Sequence, residues 1–221
     1  MKLVIFNGSP RGKGSNTRLL MDQFTKGFLE AGAHHAESIY LIKPGEIKKA
    51  TEKFQEAEIV ILAFPLYTDA MPAIVKTFIE ELSPLCESSH KPDIGFVVQS
   101  GFPEPIHSRA VEKYLEKLSK RIANRYLGTI IKGGVEGIQI QPPRMTKKLF
   151  QSFYRLGYIF GEKRIFDKKI MEKFTKKERF NFFTIMAFNI FRKTGMFDIY
   201  WNRQLKKNKA YKKRFTKPFE N

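Results

Sequence analysis

The chain has 221 residues, 42% of them hydrophobic, and a formal net charge of +18, which suits one full core with an elaboration and excludes two independent large domains. Its single cysteine, Cys86, excludes an internal disulfide and a cysteine-rich metal site, suits a reducing compartment and reads as an inert thiol at a helix end. No secretory pattern opens the chain, so a cytoplasmic protein is expected, and the charge is uneven: residues 141–221 carry 22 Lys/Arg against 6 Asp/Glu, residues 1–140 only 18 against 16.

Residues 3–6, Leu-Val-Ile-Phe, form a strand-length apolar run, and NGSPRGKGSNT follows at 7–17. The spacing fails the mononucleotide P-loop, because Gly8 and Gly12 are one residue too close and Gly14 follows Lys13. It also fails the dinucleotide fingerprint, because Thr17 stands where a third glycine belongs. The loop still has the means to hold an anion. Ser9, Ser15, Asn16 and Thr17 offer donors, Gly12 and Gly14 let backbone N–H groups approach, and the helix opening near Asn16 adds its positive end. Arg11, Lys13 and Arg18 are at hand, with no acidic residue from 7 to 17. A solvated Gly/Ser turn is the alternative, and the order strand, loop, helix favours phosphate.

Leu20, Phe24, Gly27, Phe28 and Ala31 recur at helical spacing, with Gly32 as the stop. A strand is expected at 39–42, and then a short helix on Ile47, Ala50, Phe54 and Ala57. After a strand at 59–64 comes AFPLYTDAMP, residues 63–72. Here Pro65, Leu66 and Tyr67 make a flat apolar platform, Thr68 can donate a hydrogen bond, and Asp69 reads as a helix start. Pro72 suits a first helical turn, and Met71, Ile74, Val75, Phe78, Ile79 and Leu82 give that helix one apolar face. Beyond a strand at 94–98, Gln99, Ser100 and Gly101 form a polar loop able to meet a heteroaromatic edge. Val111, Tyr114, Leu115, Leu118 and Ile122 mark a fourth helix, and 127–131 a fifth strand. Continuous apolar strands alternating with helices predict a doubly wound, five-stranded parallel α/β sheet. Its ligand site would lie in the loops after strands one, three and four.

The two segments GSPRGKGSNT (8–17) and PLYTDAMPAIVKTFIEE (65–81) resemble those of the flavodoxin-like NAD(P)H-dependent FMN reductases, in the branch that contains the iron-sulfur flavoproteins. The resemblance spans about residues 1–140. It implies a flavodoxin-like fold, and it implies that Ser9, Arg11, Ser15, Asn16 and Thr17 hold the FMN phosphate while Pro65, Leu66 and Tyr67 lie along the isoalloxazine. Gln99, Ser100 and Gly101 match by position only. Residues 41–53 contain no cysteine, so the cluster of the iron-sulfur branch is not expected. The implied activity is hydride transfer from NADH or NADPH to flavin and on to a quinone, a flavin or another small acceptor. No protein nucleophile is needed, and His34, His35, His90 and His107 show no metal-ligand spacing. The second reading is a flavin-binding electron carrier or regulator that docks on a membrane or an acidic partner through its tail.

Residues 141–221 read as a basic, aromatic-rich helical extension. Met145, Leu149, Phe153, Leu156 and Phe160 mark one helix, and Thr175 to Glu178 reads as a capping box for a second that Gly195 closes. Within it residues 180–191 are apolar on nearly every side and, at twelve residues, too short to span a bilayer. Burial within the fold or between two protomers of a homodimer ranks first for this tail, peripheral contact with an anionic membrane second, and nucleic acid last. The run from Lys206 to Arg214 reads as a solvated basic end.

Overall fold

The computed structural model describes residues 1–193, 195 and 198–217. Five strands, β1 (Lys2–Asn7), β2 (His35–Tyr40), β3 (Ile59–Pro65), β4 (Asp93–Gln99) and β5 (Tyr126–Lys132), pair in parallel in the order β2-β1-β3-β4-β5. The order reverses between β1 and β3, and that reversal places the loops after these two strands side by side. β3 and β4 are buried along their whole length, as continuous apolar runs with helices on both faces must be.

Four helices fall where the apolar spacing puts them: α1 (Asn16–Glu30), α2 (Ile47–Glu56), α3 (Ala73–Glu81) and α4 (Arg109–Arg121). Pro72 is the N-cap of α3, one position earlier than its expected place in the first turn. The expected second strand at 39–42 overlaps only the end of β2. This edge strand pairs with β1 alone and is half-exposed, so its sequence, HAESIY, lacks the continuous apolar signature; Leu41 and Ile42 lie just beyond it.

Two phenylalanine-rich layers flank the sheet. Phe6, Phe54 and Phe78 meet under α2 and α3, with ring centroids 4.7–6.4 Å apart. On the opposite face Phe24, Phe28, Phe160 and Phe166 pack between α1 and α5 (Pro143–Lys163). The fit there depends on glycine. A Cβ on Gly27 would lie 2.0 Å from the Tyr154 carbonyl oxygen, and one on Gly157 1.9 Å from that of Phe24. The two helices therefore touch backbone to backbone. Phe166, just after α5, lies over Gly95 and Gly128 on neighbouring strands, where a Cβ on Gly95 would come within 2.7 Å of the ring.

The chain forms two compact units, Met1–Glu178 and Arg179–Asn221. The expected boundary after residue 140 lies inside the first, because α5 and α6 (Lys168–Thr175) cover the α1 face of the sheet and supply Phe153, Phe160 and Ile170 to its core. A buried carboxylate helps to fix this cover. Asp93, 8% exposed, accepts from Arg125 Nε at 3.0 Å and Arg164 Nε at 2.7 Å. Replacing Asp93 with asparagine is expected to cost about 1–2 kcal/mol, between the values for exposed and buried pairs, because both guanidinium groups are partly in water. A urea midpoint measurement checks it.

The second unit contains α7 (Phe182–Lys193) and α8 (Asp198–Lys207). The expected capping box at Thr175 is corrected. Thr175 ends α6, its hydroxyl bonded to the Met171 carbonyl, and Glu178 takes both donors of an Arg109 fork. A bidentate guanidinium is a stronger partner for this carboxylate than one backbone N–H. Asn181 caps α7 instead, its Oδ1 accepting from the Thr184 N–H at 2.9 Å and hydroxyl at 2.6 Å. Gly195 stands just past α7 with φ +68, the conformation a closing glycine supplies.

Candidate functional site

The loop after β1 is shaped by backbone demands. The Gly8 N–H donates to the Ala63 carbonyl, and a Cβ on Gly8 would lie 2.1 Å from Val75 Cγ2, so the chain turns tightly under α3. Gly12 has φ +52 and opens a single 3-10 turn that ends at Ser15, the N-cap of α1. Ser15 Oγ accepts from the Arg18 N–H at 3.1 Å and from Asn7 Nδ2 at 3.3 Å. This leaves the N–H groups of Asn16 and Thr17, the first two helical positions, without intrahelical acceptors and pointing out of the positive helix end.

Nine of the twelve residues expected at the site line one recess at the carboxyl edge of the sheet: Ser9, Arg11, Asn16, Pro65, Leu66, Tyr67, Gln99, Ser100 and Gly101. Leu66 is held there by an N–H bond to the Gln99 carbonyl at 2.7 Å, which joins the second loop to the third. Tyr67 is 42% exposed and so presents its ring at the mouth.

Ser15, Thr17 and Thr68 lie outside the recess lining. Ser15 is used as the cap. Thr17 is fully buried, and its Oγ1 accepts from Gln99 Nε2 at 3.2 Å, tying α1 to β4. Asn16, although in the lining, has its amide engaged as well: Nδ2 donates to the Val135 carbonyl at 2.8 Å, and Oδ1 accepts from Gln139 Nε2 at 2.7 Å. Asn16 and Thr17 thus shape the pocket with their side chains and leave their backbone N–H groups at the open end of α1. Arg18 turns away, its guanidinium on the Lys13 carbonyl and on Asp22.

Thr68 and Asp69 have φ of +49 and +57 at the tip of a tight turn closed by paired hydrogen bonds between Tyr67 and Ala70. Two successive left-handed residues, one β-branched, cost of order 1–3 kcal/mol each. Asp69 therefore does not start α3, as its place in the sequence suggests; its carboxylate lies 3.3 Å from His107 Nδ1. The His107 ring in turn lies 4.6 Å from that of Phe102, across the third loop.

One lining residue was not foreseen. Glu136, in the loop after β5, reaches Arg11 Nη2 with its Oε1 at 3.0 Å. Sequence reading placed the site after strands one, three and four, and GGVEGIQIQ (133–141) carries neither a phosphate nor an aromatic signature. Only the fold reveals that this loop returns to the start of α1, through the Asn16 and Gln139 bonds, and to the loop after β4, through the Val135 N–H bond to the Ser100 carbonyl. Beside it, at the end of β5, burial pushes the Lys132 ammonium down from its ordinary pKa.

The recess thus brings together the loop at the open end of α1 with the Glu136-paired Arg11 guanidinium, an apolar wall and a polar loop. The chain is a flavodoxin-like α/β protein. Residues 1–83 match a family model described as having a flavodoxin-like fold, and both segments that carried the sequence resemblance fall within them. No curated protein matches the chain. Solved structures that share the fold include an NADH:FMN oxidoreductase in its apo form, with TM-score 0.55 and 17% identity over 72% of this chain and 88% of that one. An NAD(P)H:quinone oxidoreductase from Methanothermobacter marburgensis follows at TM-score 0.55 and 15% identity over 72% and 96%. An FMN-dependent NADH-azoreductase from Bacillus anthracis, in complex with FMN, gives TM-score 0.54 and 12% identity over 73% and 100%.

Proposed function

We propose that the chain is an FMN-dependent NAD(P)H oxidoreductase that passes electrons to a small acceptor such as a quinone or a flavin, acting as a cytoplasmic homodimer. The observation that carries this reading is the convergence of the anion loop, the Pro65-Leu66-Tyr67 wall and the Gln99-Ser100-Gly101 loop on one recess. The names of the structures that share the fold support the same chemistry.

The donor set fits an FMN phosphate. Arg11, the Ser9 hydroxyl and the N–H groups opening α1 would hold it, and Pro65, Leu66 and Tyr67 would flank the ring. When bound, FMN supplies the hydride-accepting chemistry. The chain's part is to bind, orient and exclude water. Buried Leu66 fixes the height of the wall, the strained 67–70 turn fixes Tyr67, and Gln99 and Ser100 brace the second loop and the loop after β5 through their carbonyls.

Glu136 competes with the phosphate for Arg11. Glu136→Gln is expected to tighten FMN binding a few-fold, since it removes a partly solvated negative charge beside the anion. Fluorescence titration with FMN measures it. The test of the proposal itself is a comparison of FMN with riboflavin on purified protein. FMN should bind with the visible spectrum of a protein-held flavin, and riboflavin, which lacks the phosphate, at least about tenfold more weakly. Absence of FMN binding would refute the reading.

A further inference from the structure

We propose that the unit beginning at Arg179 docks on an anionic lipid bilayer, with α7 lying in the interfacial layer. Phe182 and Phe183 are 73% and 71% exposed, and Ile185, Met186, Phe188 and Ile190 are exposed as well. At 100° per residue these six side chains spread over about 220° of the helix surface, with Thr184 and Ala187 in the remaining arc. A helix that docks on a second protein buries one stripe and leaves the rest in water. The apolar arc of α7 is about twice as wide as such a stripe, and the interfacial layer of a bilayer can take it while the remaining side faces water.

Its length decides how it would lie. Twelve residues span about 18 Å, well short of the roughly 20 residues needed to cross a bilayer. Among the described residues no helix is long and apolar enough to cross a membrane. The helix therefore lies in the membrane plane. α8 adds exposed Ile199 and Trp201, and tryptophan favours the headgroup level.

Charge selects the lipid. Residues 179–221 carry 11 Lys/Arg against 2 Asp/Glu, and this density beside exposed phenylalanines complements a negatively charged surface. Nucleic acid would satisfy the cations and leave Phe182, Phe183 and Ile190 in water.

Trp201 is the only tryptophan in the chain, so its emission reports on this unit alone. The full-length protein is mixed with vesicles of phosphatidylcholine, or of phosphatidylcholine with phosphatidylglycerol, and both co-sedimentation and emission are read. The expected result is binding to the mixed vesicles with a blue-shifted Trp201, weakened about tenfold between about 0.05 and about 0.5 M salt. Phe182→Asp combined with Phe183→Asp should lower vesicle binding at least about tenfold. The fold should be kept, because both side chains are exposed and acidic residues suit the first turn of a helix; far-UV circular dichroism checks this. No binding to mixed vesicles, an unshifted Trp201, or unchanged binding by the double variant would overturn the proposal. So would a dimer, seen by light scattering, that the double variant splits, since α7 would then belong to a second copy. Duplex DNA binding that survives the double variant and displaces the vesicles would assign the surface to nucleic acid instead.

Discussion

Gly157→Ala is expected to lower the melting temperature more than an ordinary core substitution. The added methyl would sit 1.9 Å from the Phe24 carbonyl oxygen and 2.7 Å from its carbon, and neither helix backbone can yield by a rotamer change. α1 and α5 must separate, which opens the layer of Phe24, Phe28, Phe153 and Phe160, all fully buried. Overpacking of this kind costs about 3 kcal/mol, and a chain of this size loses about 2–4 °C for each kcal/mol, so a drop of about 6–12 °C is expected. Gly45→Ala serves as the control, since nothing lies within 4 Å of its added Cβ. If Gly157→Ala melted within about 1 °C of the parent, the backbone contact of α1 and α5 would be wrong.

Arg11→Ala is expected to weaken FMN binding by about 10- to 100-fold, the loss of one or two charge-assisted hydrogen bonds to a phosphate. Riboflavin binding should change little, because the guanidinium has no partner on an uncharged ribityl chain. Part of the loss should also vanish at high salt, since the Arg11 side chain is about half exposed. Ser15→Ala is a poorer test of the same idea. Ser15 caps α1 and anchors Asn7, so its loss would lower stability by about 1 kcal/mol whether or not a phosphate binds. Equal loss of FMN and riboflavin affinity in Arg11→Ala would mean that the arginine supports the loop and does not read the phosphate.

The sheet was legible because β1, β3 and β4 are largely buried apolar runs, the edge strand β5 keeps Ile130 and Ile131 buried, and the helices carry single apolar stripes. β2 was less so, because an edge strand with one neighbour can keep polar residues. The end of the first compact unit was hidden for a different reason. Gly157 and Gly161 carry no apolar signal in the sequence, yet with Gly27 they are the points where two helices meet most closely. Lysines crowding 141–178 suggested an appendage, although they lie on the outer side of helices whose inner side completes the core.

At the site, glycines and hydroxyls at the end of an apolar run marked the loop that lines the recess. The division of labour within it was not legible: whether Ser15, Asn16 and Thr17 use side chain or backbone depends on Gln99, Val135 and Gln139, which are distant in sequence. Glu136 was invisible for the same reason. The left-handed turn at Thr68 and Asp69 was not expected, because β-branched Thr68 disfavours that conformation; the bonds between Tyr67 and Ala70 accompany it.

The central claim is that this recess holds a flavin that accepts electrons from a nicotinamide. Anaerobic mixing of the FMN-loaded protein with NADH and with NADPH, followed at the visible flavin band, tests it directly. Prompt bleaching with at least one of the two, and recovery of the band on adding a quinone, is the predicted result. A bound flavin that stays oxidised with both nucleotides would contradict the account.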